Sequence, residues 1–177
     1  GASVIIGVRA GSLSNQSVII GYEANYNNNN LNANSVMIGY QAGHSTTTGN
    51  YNHFVGYSAG FSNTSGSYNH FDGPEAGFSN TTGYSNYFTG YSAGYSNTTG
   101  SNNVMIGSQA GYGNTTGEFN QFMGIRAGQS TTSSNNIMIG YQTGFSNTTG
   151  TYNLFLGNEA GYNNTTGNSS IMMGYKA

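Results

Sequence analysis

The sequence predicts an all-β fold: a parallel β-solenoid, or β-roll, of about eleven coils of mostly 17 residues, with two short strands per coil. Three observations predict it. A glycine-marked phrase recurs from one end of the chain to the other, and a fixed short period is the mark of a stacked-repeat architecture. The three residues before each marking glycine are mainly Val, Ile, Phe or Met, types that suit a strand. The background of Gly, Asn, Ser and Thr is poor for helix.

The glycine that ends each apolar run falls at Gly7, Gly21, Gly39, Gly56, Gly73, Gly90, Gly107, Gly124, Gly140, Gly157 and Gly174. Successive spacings are 14, 18, 17, 17, 17, 17, 17, 16, 17 and 17 residues. The copies fill residues 1–177 as one repeat domain. The chain opens on Gly1 without a leader pattern and is expected to be part of a longer fibre chain. Asn25 to Asn34 reads as an Asn-rich insertion that loops out of the second turn. Stacked coils repeat at the inter-strand distance of ~4.8 Å, so the whole array is expected to span roughly 50 Å.

Alternation along a strand assigns the columns. Two before the glycine stand Ile5, Ile19, Met37, Phe54, Phe71, Phe88, Met105, Phe122, Met138, Phe155 and Met172, expected inside the coil. Three after it stands Ala in ten copies and Thr143 in one, suiting a tight inner corner. Five after it stand Phe61, Phe78, Tyr95, Tyr112, Phe145 and Tyr162, expected to meet the Phe/Met column across the coil. By that pattern Phe88 and Tyr95 face inward and Ser92 outward. Six of the eight charged residues (Arg9, Glu23, Glu75, Arg126, Glu159 and Lys176) stand two after the glycine, so that column is expected to face water. Asp72 and Glu118 are the exceptions.

The residues on either side of the inner position conflict with a lone coil. They read Val36 and Ile38, Val104 and Ile106, Ile137 and Ile139, Leu154 and Leu156. A strand apolar on both faces is buried on both faces. A stripe of this length exceeds what soluble monomers expose. These eight residues are therefore expected to form an interface between parallel copies around a rotation axis.

Composition excludes several classes. Net charge is −2 with three Lys and Arg in total, too few basic groups to neutralise a nucleic-acid backbone or to hold an anionic membrane surface. No apolar run reaches the ~20 residues of a spanning helix, so this segment is not expected to insert in a membrane. There is no cysteine, hence no disulfide framework or thiolate metal site. Charged residues are 5% of the chain, and aromatics, at 14%, recur at fixed places, which favours an ordered repeat over a linker.

At Asn34-Ser35-Val36-Met37-Ile38-Gly39 and Asn102-Asn103-Val104-Met105-Ile106-Gly107 the chain resembles the head repeat of trimeric autotransporter adhesins, usually written Asn-Ser-Val-Ala-Ile-Gly. It is also similar to Gly-Tyr-x-Ala-Gly…Asn-Thr-Thr-Gly phrases in fibre-like proteins of phages and environmental bacteria. The first spacing, 14, is typical of the adhesin family. The resemblance implies a left-handed trimer of parallel β-rolls on a bacterial surface. Most turns here are longer than the family's, Phe or Met replaces its middle Ala, and residues 1–177 hold no neck, stalk-heptad or membrane-anchor pattern.

Candidate chemistry is sparse. The stripe turns polar at His53, His70 with Asp72, and Gln121. Copies around an axis would bring imidazoles and a carboxylate together, as an ion site or as a polar plug that fixes register. No metal or other cofactor is expected from the rest of the chain. No nucleophile column accompanies His70 and Asp72, so no enzyme is expected. Asn63, Asn80, Asn97, Asn114, Asn147 and Asn164 each begin an Asn-x-Ser/Thr triplet, an N-glycosylation acceptor pattern; Asn15 and Asn168 match as well. Turn and ladder formation is the favoured role for these asparagines. Thr47, Thr64, Thr81, Thr98, Thr115, Thr132, Thr148 and Thr165 form a file that could order water on an ice-binding face. Adjacent threonines are expected on opposite sides, which weighs against it. Tyr22, Tyr40, Tyr57, Tyr91, Tyr141 and Tyr175 read as packing at a turn, or as an aromatic surface for sugars.

Together these features predict a structural extracellular fibre or adhesin segment, on a cell or virion surface, forming a rigid oligomeric rod. Its expected partners are its own copies, with surface glycans or a host surface as further candidates. An ice-binding protein and a self-polymerising filament subunit are the alternatives.

Overall fold

A computed structural model describes residues 2–11, 16–28 and 33–177. The central part of the Asn-rich insertion and Asn15 lie outside the described residues. The strands are β1 (Val4–Ile6), β2 (Val18–Ile20), β3 (Val36–Ile38), β4 (His53–Val55), β5 (His70–Asp72), β6 (Tyr87–Thr89), β7 (Val104–Ile106), β8 (Gln121–Met123), β9 (Ile137–Ile139), β10 (Leu154–Leu156) and β11 (Ile171–Met173). They form one parallel sheet of 11 strands in sequence order. Pairing is column on column: Phe54 opposes Phe71 and Phe71 opposes Phe88. The chain is thus an all-β parallel β-solenoid with one coil per repeat.

The expectation of two strands per coil is corrected: among the described residues each coil carries one. Its other segments are successive turns. Ser58, Gly60 and Tyr51 sit at φ of 51°, 60° and 57°, and a left-handed residue breaks an extended run. Backbone groups there divide between two uses. Gly60, Ser62 and Thr64 donate to Ala76, Phe78 and Thr81 of the next coil, each at 2.9 Å. Ala59, Phe61 and Asn63 donate three residues back, to Gly56, Ser58 and Gly60, at 3.4, 3.3 and 3.0 Å. Turns with this division keep the backbone satisfied without a second strand.

The core is a single file. Met37, Phe54, Phe71, Phe88, Met105, Phe122, Met138 and Phe155 are fully buried, faced by the alanine column. Phe54, Phe71 and Phe88 stack with ring centroids 4.9 Å apart. Two glycines in most coils permit this packing, one where successive coils meet and one against the core file. At Gly90, φ is +125° and an added Cβ would lie 2.8 Å from the Gly107 carbonyl of the next coil. At Gly94, φ is +59° and the Cβ would overlap the Phe88 ring.

The remaining interior is polar. Asn52, Asn69, Asn86, Asn103, Asn120, Asn136 and Asn153 stand just before their strands and are buried. Asn69 Oδ1 accepts from the Asn86 backbone N–H at 3.0 Å, and its Nδ2 donates to the Gly83 carbonyl at 2.8 Å. The sequence reading assigned this column no role. Its recurrence before seven of the eleven strands, with Ser before the other four, was the available signal, and buried backbone groups need such partners.

Candidate functional surfaces

The outer face of the sheet carries the aliphatic stripe. Val36, Ile38, Val104, Ile106, Ile137, Leu154 and Leu156 are half-buried in the single chain and Ile139 is exposed. At the two ends of the sheet Ile6 and Ile171 are 58% and 71% exposed. Middle strands replace the stripe with polar and aromatic groups. His53, His70 and Tyr87 stack coil on coil with centroids 4.5 Å apart. Burial lowers the His70 pKa below its ordinary 6.5, the neighbouring His53 lowers it further, and Asp72 opposes both. Within one chain His53, His70 and Asp72 do not assemble a metal site: among the described residues no group of three or more His, Cys, Asp or Glu is placed to hold one.

The Asn-Thr/Ser turns point the other way from the acceptor reading. Asn63, Asn80, Asn97, Asn114 and Asn147 are fully buried. Asn164 is half-buried. Their Nδ2 atoms face inward: Asn80 donates to Asn63 Oδ1 at 2.8 Å and to the Gly83 carbonyl at 3.1 Å. Asn97 repeats this to Asn80 at 2.7 Å and to Gly100 at 3.0 Å. A glycan needs that same nitrogen, and the folded coil has no space for one there. These residues form the turn ladder.

The charged column two after the glycine is corrected in part. Arg9, Arg126 and Lys176 are exposed, yet Glu23, Ser58 and Ser92 in the same column are buried. Left-handed φ values of 50–58° lay these side chains along the stack, where the shorter ones are covered by their neighbours. They pair along it. Arg9 Nη1 meets Glu23 Oε1 at 2.6 Å. Gln41 Nε2 donates to Glu23 Oε2 at 2.8 Å, and this bond is the main reason the Glu23 carboxyl lies below its usual range. Ser92 donates to Glu75 at 2.9 Å and Arg126 to Gln109 at 3.1 Å.

The aromatic column five after the glycine does not meet the core. Phe61, Phe78, Tyr95 and Tyr112 are half-buried and stack on one another at 5.0–5.1 Å, with Phe145 on Tyr162 further along. The side opposite the Phe/Met file is filled by alanine, glycine and buried asparagine, so no room is left for them. Tyr22, Tyr40 and Tyr57 likewise stack at 5.2 Å while staying 39–55% exposed. Ring faces are therefore shared between tyrosines in this run, and edges and hydroxyls are what solvent meets.

The threonine turns also differ from expectation. Adjacent members do not alternate sides. Thr115 with Thr116, Thr148 with Thr149, and Thr165 with Thr166 are exposed together, because the chain bends at each pair. The first hydroxyl of a pair is tied down: Thr64 Oγ1 donates to the Thr81 carbonyl and Thr81 Oγ1 to the Thr98 carbonyl, both at 3.0 Å.

A cleft of about 550 Å³ lies against the last coil, lined by Glu159, Tyr162, Asn164, Met172 and Lys176. It is the face that each earlier coil has covered by its successor. Among the described residues no helix is long and apolar enough to cross a membrane. No family model, curated protein or solved structure matches the chain.

Proposed function

We propose that this chain is a non-enzymatic structural segment of an extracellular fibre or adhesin, in which parallel copies assemble through the outer face of the sheet into a rigid rod. The observation that carries the reading is the aliphatic stripe of Val36, Ile38, Val104, Ile106, Ile137, Ile139, Leu154 and Leu156, left partly or fully accessible in the single chain. Burying such a stripe contributes ~25 cal/mol per Å² of apolar surface.

The polar break selects how copies meet. In a parallel, in-register assembly His70 and Asp72 face their own equivalents, and Val104 and Ile106 face theirs. An antiparallel pairing centred on β6 would set His70 and Asp72 against Val104 and Ile106. Unpaired polar groups would then be buried against aliphatic ones, at a cost of about 1–3 kcal/mol each. A closed ring of parallel copies avoids this. Three copies, left-handed coils and a place on a cell or virion surface follow from the resemblance to trimeric adhesin heads. In that arrangement His53, His70 and Asp72 form a polar layer on the axis, and any glycan or host contact falls on the outer flanks.

The test is assembly mass. Sedimentation should give a discrete multiple of the chain mass. Val104→Asp with Ile106→Asp should reduce it to the single-chain value while circular dichroism is retained. An unchanged mass in the double variant overturns the seam. Long filaments in electron microscopy would instead favour coil-end to coil-end polymerisation.

A further inference from the structure

We propose that the paired threonine files form an ice-binding face. This does not rest on assembly of copies, since eight coils of a single chain, from Thr47 to Thr166, carry the motif.

The face combines three properties. It is periodic: a Thr-Thr or Thr-Ser pair recurs in successive coils from Thr47 to Thr166. Coil stacking therefore sets the row spacing at ~4.8 Å, near the repeat of oxygen rows along the a axis of ice. It is rigid. The Oγ1 protons of Thr47, Thr64, Thr81, Thr98, Thr132 and Thr148 all go to a threonine carbonyl one coil on, at 3.0–3.1 Å. A hydroxyl that donates inward keeps its lone pairs for an outside donor, and a locked rotamer has little entropy left to lose. Beneath the rows the Asn63, Asn80 and Asn97 ladder fixes the backbone. Finally, the face carries almost no charge. Of all Asp, Glu, Lys and Arg, only Glu118 lies within three residues of any pair.

These properties select the ligand. An anion has no cation to meet here. A sugar ring would need an open aromatic face, and the rows hold threonine rather than rings. A surface that repeats at the same interval over many coils and donates hydrogen bonds from water is what the rows match. The second, exposed member of each pair, such as Thr82, Thr99 and Thr116, supplies a parallel row of hydroxyls and methyls beside the first.

The experiment uses ice itself. Native chain, a T82Y/T99Y/T116Y variant and an S108Y/N158Y control are each exposed to slowly growing ice, and thermal hysteresis is recorded on the same samples. The control adds tyrosine at positions where other coils already carry it. Native protein and control should partition into the ice and give hysteresis, and the threonine variant should be excluded and give none. Circular dichroism confirms that all are folded. Exclusion of the native chain from ice overturns the proposal whatever the variants do, and so does equal uptake of native chain and folded threonine variant.

Discussion

At the scale of single residues, buried asparagine ties one coil to the next alongside the apolar core. Seven coils bury an asparagine just before the strand and five bury one opposite, and most of these spend an amide nitrogen on a glycine carbonyl, as Asn69 and Asn80 do on Gly83. Removing one orphans the neighbours above and below. Asn80→Ala loses the bonds to Asn63 and Gly83 and the acceptor of Asn97. Each buried group left unpaired costs about 1–3 kcal/mol, so denaturant unfolding should report a loss of that order. Thr82→Ala, on the exposed row, should change stability by less than about 0.5 kcal/mol.

At the scale of the element, the short strand is the one part of the coil where period-two reasoning holds. It placed Phe54, Phe71 and Phe88 inside and their neighbours outside, as found. Past the marking glycine the same rule failed three times: for Tyr95, for Ser92 and for the adjacent threonines. The cause is common to all. Left-handed residues and three-residue turns there replace the pleat, so successive side chains do not alternate. The glycine that ends each apolar run and the one four residues on, Gly90 and Gly94 in the coil of Phe88, were the warning that alternation stops at them. No sequence pattern distinguished a water-facing glutamate from Glu23, buried along the stack.

The strands β4 to β6 carry a pH-dependent element. His70 is faced by His53 from β4, Tyr87 from β6 and Asp72 on its own strand. Its folded-state pKa lies below 6.5, so the unfolded chain binds the proton more readily. The contribution to stability is then fully present above pH 6.5 and is lost as pH falls through the lowered folded value. The thermal midpoint should drop on acidification across that window, and drop less in His70→Tyr, which continues the aromatic stack without a titrating imidazole. Equal slopes in both proteins would remove His70 as the cause.

For the whole molecule, nearest-neighbour stacking means that coils are interchangeable in number. Stability should be close to a sum of coil and interface contributions. Deleting residues 91–107 joins Gly90 to Ser108 with every column in register. That variant should keep its circular dichroism and thermal midpoint and be shorter by ~4.8 Å in solution scattering. Deleting 91–98 shifts the columns by about half a coil and should unfold the chain downstream.

The hydrogen bonds between coils have a kinetic consequence. Side-chain partners one coil apart are 13 to 18 residues distant, whatever their position in the array. The mean loop that must close to make a contact therefore does not grow as coils are added. Folding slows with the sequence separation of contacts, so lengthening this chain leaves the difficulty of each step unchanged. A nucleus of a few coils can extend in either direction like a zipper, and chain length becomes a free variable that selection can set by the reach required.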